Sequence, residues 1–552
     1  MIRSALLAAA IATASLAVPA AADARTVVIN ANGYTIDAVG RLQRFSTLIV
    51  DDQGRVEGTR QDGNLIPDAD RVLDAEGATL LPGLIDAHGH IMGLGETLRI
   101  LDLSGTSSLD EALRMLADYA AANPDLDWIT GRGWNQVNWD LADFPTAADL
   151  DGVVPNRPVV LERVDGHATW ANSAAIALAN IAQDMADPDG GQVIRDADGR
   201  MTGVFVDTAS APLYAAIGAP DETELAARLQ AALDAMAATG MTAAADMGVT
   251  ADAFDVMKRF AANGRMTARI AAYAAGMDSL MAIAPEEPTG WMNRDRLALL
   301  GVKLYVDGAL GSRGARLMEP YSDAPDRFGL WITTGAQLRN QMVLASQAGH
   351  QLAIHAIGDA ANREVLDAVS DVQRYLPVGR PRIEHAQVVA LEDLPRFGEL
   401  GVIASVQPTH ATSDKNMAED RIGPERLKGA YAWRSLVNSG ARLALGSDFP
   451  VEPVEPLFGL HAAITRKDRD GNPSDGWIFG EALSPAEALT GFTVSAAYAM
   501  QAEGRFGTLT PGKWADFILV DGDPLADDPD GIWDMTVLQT WVGGELVYSA
   551  NQ

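Results

Sequence analysis

The stretch LLPGLIDAHGHIMG, from Leu80 to Gly93, decides the fold. An apolar run follows Pro82 and Gly83 and reads as a strand that closes near Gly89. Successive side chains on a strand alternate between faces, so Leu84, Asp86, His88 and His90 point one way. Two imidazoles held side by side make a poor hydrophobic core and one half of a metal site. The question is what the rest of the chain brings to meet them.

Seven more apolar runs answer it. Counting the first at Leu84–His88, strands are expected at Met241–Gly248, Ala268–Ala274, Gly301–Gly308, Gln351–Ile357, Arg382–Val388, Val402–Pro408 and Leu443–Asp448. Helical patterns such as Gly335–Ala348 and Asp359–Val372 lie between many of them. Eight strands in βα order predict an α/β chain, a (β/α)8 TIM-like barrel, over residues 84–500. A long insertion after the first strand, residues 91–240, reads as a lid or substrate-facing subdomain. Ser484 and Glu487 form a capping-box pattern, with Pro485 opening a helix to Met500. The ends are different in character. RTVVINANGYTID and STLIVDDQGRVEG near the start, and GTLTPGKWADFILVDGD and VLQTWVGGELVYS near the end, are short strands with turn residues between them. Residues 25–83 and 501–552 are therefore expected to build one small β-sandwich together.

Catalytic groups of such barrels gather at the carboxyl ends of the strands. His355 in LAIHAIGD, His385 in RIEHAQV and Asp448 in LALGSDFP end their strands, as His88 and His90 do. Four histidines and one aspartate form a nitrogen and oxygen site suited to zinc or a similar divalent ion. Any one of these residues alone reads as a structural histidine or a turn aspartate. Their recurrence at the same relative place in successive strands argues against that. Lys303, in GVKLYVDGALGSRGA on the fourth strand, reads either as a ligand or as an ion-pairing lysine. His167 in VDGHATW and His410 in SVQPTH read either as groups that bind a substrate carbonyl or as structural hydrogen-bond partners. Arg313 could hold a substrate carboxylate or pair with a neighbouring acid, and Trp134, Trp139 and Trp170 either line an apolar pocket or, as their place in the insertion favours, pack within it. His350 and His461 read as structural.

Composition bounds the setting. The 552 residues are 48% hydrophobic and carry a net charge of −32, which argues against nucleic acid and anionic membranes as partners. There is no cysteine, so disulfides, thiolate ligands and a cysteine nucleophile are all excluded. Residues 1–24 read as a secretory signal: Arg3, an Ala/Leu-rich run from Ala5 to Val18, then Pro19 and small residues, with cleavage after Ala22 or Ala24. The run is shorter than the roughly 20 residues a spanning helix needs. A periplasmic or secreted protein without a membrane span is expected. There is no G-x-S-x-G elbow, phosphate loop or G-x-G-x-x-G fingerprint.

PGLIDAHGH, the strand-ending histidines and GSDFP together resemble the amidohydrolase superfamily of metal-dependent hydrolases. GRGW, ERVDGHATWAN, DGALGSRGA and LTPGKWADFILVD narrow the resemblance to its amidohydrolase-3 branch, across nearly the whole mature chain. The resemblance implies a metal-filled barrel beside a composite β-sandwich. It implies that His88 and His90 hold the more buried of one or two ions and that His355 and His385 hold the second. Asp448 is the last-strand carboxylate, and Lys303 matches a lysine that some relatives carboxylate to bridge two metals. The function implied is hydrolysis of an amide-type, non-peptide C–N bond in a small molecule. A divalent ion lowers the pKa of water toward ~7, and Asp448 would take the proton and pass it to the leaving nitrogen. The same centre would also serve an ester, lactone or phosphotriester. A non-catalytic binding protein on a barrel scaffold is the alternative of another class, and the complete ligand set argues against it.

Overall fold

The computed structural model describes residues 24–37, 40–61, 68–139, 141, 143–164, 166, 168–188, 191–375, 380–526 and 528–550. The expected leader, apart from Ala24, and His167 lie outside these residues. The chain divides into two compact units. One runs to Gly89 and resumes at Asp234–Ala251 and from Phe260 onward; the other holds His90–Leu233 and Asp252–Arg259.

The first unit contains the barrel. Its strands are β1 (Leu84–Gly89), β2 (Met241–Val249), β3 (Arg269–Ala275), β4 (Leu297–Tyr305), β5 (Gln351–Ala356), β6 (Arg382–His385), β7 (Ile403–Val406) and β8 (Arg442–Leu445). They are parallel neighbours in chain order. Gly89 bridges Phe449 in parallel, and the Asp448 N–H donates to the His88 carbonyl at 2.7 Å, which joins the last strand's end to the first. The (β/α)8 architecture is as the alternation of elements requires. The fourth strand starts earlier and ends earlier than the sequence suggests. Leu297-Ala298-Leu299 pairs with Ile270, Ala271 and Ala272 of β3. At its other end Asp307 leaves the sheet to accept the Ile357 and Gly358 N–H groups at 3.0 and 2.8 Å.

Small residues line the strands: Ala87, Ala243, Ala245, Ala271, Ala298, Ala353 and Ala444 cluster with Ala496, Ala497 and Met500 of the C-terminal helical segment. That segment begins at Pro485, where Ser484 and Glu487 complete their reciprocal cap. The outer helix Asp359–Val372 buries Ala361, Val365, Ala368, Val369 and Val372, an i, i+4, i+7, i+8, i+11 stripe widened by Leu366. Burying Leu366 alone contributes about 1.5–3 kcal/mol; Leu366→Ala would cost about 2–5 kcal/mol once the cavity is counted.

The two termini form the sandwich. One sheet orders Val56–Arg60, Thr47–Val50, Thr26–Ile29 and Arg71–Asp74; the other orders Glu545–Ser549, Val537–Val542, Phe517–Val520, Thr79–Pro82, Asn32–Ile36 and Leu42–Phe45. Val28, Leu48 and Val50 meet Leu80, Phe517, Leu519 and Trp541 in a shared core. The opening stretch therefore serves two sheets. Thr79–Pro82 pairs with Phe517–Val520 in the sandwich, and Leu84–Gly89 enters the barrel. Gly83 is the joint: a Cβ there would lie 2.2 Å from Thr242 Oγ1. A buried bidentate pair, Arg269 with Asp516 at 2.7 and 2.9 Å, also ties β3 to the sandwich.

The second unit has its own six-stranded mixed sheet, ordered Gly191–Arg195, Met201–Asp207, Ala168–Ala171, Val159–Arg163, Ile129–Trp134 and Leu101–Asp102. Trp134, Trp139 and Trp170 meet at its centre with ring centroids 5.9–6.3 Å apart. Trp134 therefore packs within the insertion, one of its two readings, which corrects the other, that it lines a substrate pocket. The side chain is fully buried and its Nε1 donates to the Leu161 carbonyl, so both the ring and its polar end are used in packing. No described helix is long and apolar enough to cross a membrane.

Candidate metal centre

β1 delivers His88 to a fully buried position. Its Nδ1 donates to Glu384 Oε2 at 2.7 Å, which fixes the tautomer and turns the Nε2 lone pair to the centre. Nε2 lies 3.2 Å from Lys303 Nζ and 3.4 Å from Asp448 Oδ1. Burial, reinforced by the Lys303 charge, lowers the His88 pKa to about 4 against the pull of Asp448 and Glu384. At neutral pH His88 is thus a neutral ring with an available lone pair. Ligand atoms of His88, His90 and Asp448 lie within 4.8 Å of one another. His90 follows the strand by one residue.

Asp86 shares the expected face and holds the backbone around the site. Its carboxylate accepts the His88 N–H at 2.8 Å and the Ser447 N–H and Oγ at 3.0 and 2.7 Å, which pins the loop after β8 onto β1. The approach is close enough that a Cβ on Gly446 would stand 2.5 Å from Asp86 Oδ1. The small residue before Asp448 therefore makes room for β1 itself. Asp448 then turns inward with φ 63°, a left-handed conformation that is unusual for a non-glycine residue.

Glu384 was not anticipated from the sequence. It is fully buried and held by Arg382, whose Nε and Nη2 donate at 2.8 and 3.1 Å. Burial raises its pKa, but Arg382, His88 and Lys303 outweigh that and hold it at about 2. Strict alternation would set Glu384 and His385 on opposite faces. At His385 φ is 75°, which breaks the alternation, and both residues reach His88. The His385 and His88 ring centroids are 4.8 Å apart. Gln407 Oε1 accepts from His385 Nδ1 at 2.9 Å, so Nε2 is again the free nitrogen. Burial, with His355 and His88 nearby, lowers the His385 pKa well below its ordinary value.

His355 lies 4.6 Å from His385, ring to ring, and 3.6 Å from Asp307 through Nε2. That nitrogen is buried with no hydrogen-bond partner among the described residues. Burial and the Lys303 charge lower the His355 pKa to about 3. Leaving such an acceptor unsatisfied costs about 1–3 kcal/mol; a cation would satisfy it. The donor set fits a divalent ion: His88 and His385, neutral imidazoles with fixed tautomers, stand with the unsatisfied His355 nitrogen around an aspartate.

His410 completes the cluster, stacked on His385 at 6.0 Å. Its Nδ1 meets Glu452 at 3.0 Å and its Nε2 meets Asp448 Oδ2 at 3.4 Å. Burial opposes its charge, but Asp448 and Glu452 raise its pKa to about 10. His385, His410 and Asp448 also offer atoms within 4.8 Å of one another, so Asp448 is common to two possible ligand groups. Lys303 is buried beside His88, with Nζ over the Tyr305 ring at 4.9 Å; burial lowers its pKa to about 8. The structure thus gathers His88, His90, Lys303, His355, His385, His410 and Asp448. It does not add Arg313. That guanidinium is engaged by Asp323 at 3.0 and 2.8 Å, with Arg421 on the same carboxylate, which corrects the substrate-carboxylate expectation. Glu384 had one readable signal, its place between Arg382 and His385 in RIEH.

The model of the amidohydrolase family matches residues 71–548. The amidohydrolase YtcJ of Bacillus subtilis (strain 168) is 33% identical over 491 residues, 87% of this chain and 90% of that one. The N-substituted formamide deformylase of Arthrobacter pascens is 28% identical over 95% of this chain and 98% of its own. Among solved structures, an uncharacterized metal-dependent hydrolase from Pyrococcus horikoshii OT3 superposes with a TM-score of 0.77. It is 27% identical over 92% of this chain and 99% of that one.

Proposed function

The chain belongs to the amidohydrolase family, and from that premise we propose that it hydrolyses an amide-type, non-peptide C–N bond of a small molecule. The observation that carries this reading is Asp448, set between His88 and His410 with its two oxygens 3.4 Å from their Nε2 atoms. His88, His90 and Asp448 would hold a divalent ion, zinc by the chemistry of the donors, and His355 and His385 would hold a second. Lys303, once carboxylated, would add anionic oxygens to the same donor set. Such an ion, when bound, polarises a carbonyl and makes hydroxide available near neutral pH.

The chain's own groups do the rest. Glu384 keeps the His88 lone pair aimed inward. Glu452 holds His410 by Nδ1 and Asp448 faces its Nε2; beside Asp448, that Nε2–H would donate to a substrate carbonyl oxygen as it gains charge. Asp448 accepts the proton of the attacking water at a carboxylate oxygen and returns it to the leaving nitrogen. An amide needs that second transfer, because an unprotonated amine anion is a poor leaving group. The C–N bond named in the formamide deformylase relative supports the same reading. The leader sequence supports export, to the periplasm or beyond the cell.

The test is elemental analysis of purified protein together with hydrolysis of matched amide and ester pairs. Bound divalent metal, amide turnover and loss of turnover to chelators are expected. Turnover of esters, lactones or phosphotriesters alone would move the reading to those bonds. Metal and ligand binding without turnover would make the chain a binding protein. Cell fractionation and the mature N-terminus, after Ala22 or Ala24, check the export.

A further inference from the structure

We propose that the long loop between β4 and the helix Gly335–Gln347 forms an apolar wall beside the metal centre, and that the amide cleaved carries an uncharged, apolar substituent of about aromatic size. The inference rests on the hydrolase reading above and names its substrate class.

The loop spans residues 306–334 and leaves the carboxyl end of a barrel strand, the face on which the ligands gather. It carries FGLWI, residues 328–332. Leu330 is 64% exposed, Ile332 56% and Trp331 40%, with Phe328 and Tyr305 at 38%. Single exposed apolar residues need no explanation, but a contiguous run does. The segment is also held in place. The Leu317 N–H donates to the Phe328 carbonyl at 2.8 Å, Leu330 N–H to Gly314 at 3.0 Å and Ile332 N–H to Val306 at 2.8 Å. Gly329, at φ 84°, lets the backbones meet: a Cβ there would stand 1.9 Å from the Ala315 oxygen. The Arg316 guanidinium lies over the Phe328 and Trp331 rings at 5.6 and 5.4 Å.

Continuity with the centre identifies the occupant. The Val306 N–H donates to the His355 carbonyl at 3.1 Å, so Ile332, Val306 and His355 follow one another across the loop. At ~4.8 Å per strand spacing, Ile332 stands roughly 10 Å from His355. Tyr305, next to Val306, has its ring 5.4 Å from that of His355. A substrate whose carbonyl sits among the histidines can therefore lay a six-carbon substituent along Tyr305 toward Ile332 and Trp331. Other occupants fit less well. A second copy would bring another net charge of −32 to the contact, and the same charge opposes an anionic membrane surface.

The test uses the metal-loaded full chain and two series of simple amides. One series lengthens the nitrogen substituent from methyl to hexyl and benzyl, and the other lengthens the acyl group in the same way. In one series kcat/KM should rise about two- to fourfold per methylene. Trp331→Ala and Ile332→Ala should flatten that slope and lower the benzyl-to-methyl ratio about tenfold, with bound metal unchanged. A flat or falling profile in both series, or an unchanged ratio in the variants, overturns the wall while leaving the hydrolase reading intact. If no amide is turned over, calorimetric binding of the same compounds decides. Affinity that grows with length and is lost in Trp331→Ala supports the wall without the hydrolase; affinity independent of length overturns it.

Discussion

Glu384→Gln tests the claim that a buried carboxylate prepares His88. The substitution keeps the shape and removes one negative charge. Glu384 and Arg382 are both fully buried, and among the described residues the other hydrogen-bond partners of Arg382 are the Ala87 carbonyl, Ser405 Oγ and Tyr273 Oη, none of them an anion. The size of the effect can be reached in two ways. Holding the carboxylate at about 2 instead of 4.5 is worth about 3 kcal/mol, at about 1.4 kcal/mol per pH unit. Removing one partner of a buried ion pair costs about 3–5 kcal/mol. The two agree on a loss of roughly 3 kcal/mol.

The pH window follows from the sign. The pKa of Glu384 is depressed in the folded state, so its contribution is full above about 4.5 and fades as pH falls toward about 2. Urea unfolding of metal-stripped wild type and variant should show the full gap at neutral pH, and the gap should shrink below about pH 4.5. Metal affinity should also fall, about 10–100-fold, the usual effect of losing the group that orients a ligating histidine. A variant with a wild-type midpoint at neutral pH, or a gap that stays constant through the acid range, would refute the assignment of Glu384 as charge partner. Wild-type metal affinity would refute its role toward His88.

Asp448→Asn should keep most of the metal yet lose about 10²–10⁴-fold in turnover, the range for a positioned acid–base group; recovery on adding metal would show that Asp448 is mainly a ligand. His88→Ala should instead lose metal first, measured on the same preparations, with turnover following the metal content. Lys303→Ala should abolish turnover, with partial rescue by short carboxylic acids. The neutral amine grows as pH rises through about 8, so bicarbonate added with excess zinc should load a second ion onto stripped wild type above that pH and not well below it; mass spectrometry of the intact chain reads the carbamate directly.

The barrel was legible because a parallel strand buried on both faces reads as an uninterrupted apolar run, and His88, His355, His385 and Asp448 are legible as residues at or just past the end of such a run. The rule does not place Lys303, inside its strand, or His410, in the helix that follows β7. The rule fails one layer further out. Trp134 and an exposed tryptophan look the same in sequence; only the meeting with Trp139 and Trp170 buries it. Arg313 turned on Asp323, ten residues later in a loop with no period to read. Glu452 comes 42 residues after the histidine it holds, and their meeting depends on the register of β7 with β8. Asp86 shows the same limit within the opening motif. Alternation puts it on the face of His88 and says nothing of what it meets there. Its oxygens are taken by backbone and hydroxyl groups of Ser447 and by the His88 N–H, and burial lifts its pKa to about 7. Face is fixed by period, but the partner on that face is fixed by which loop closes over it, and in this chain the closing loop is the one that carries Asp448.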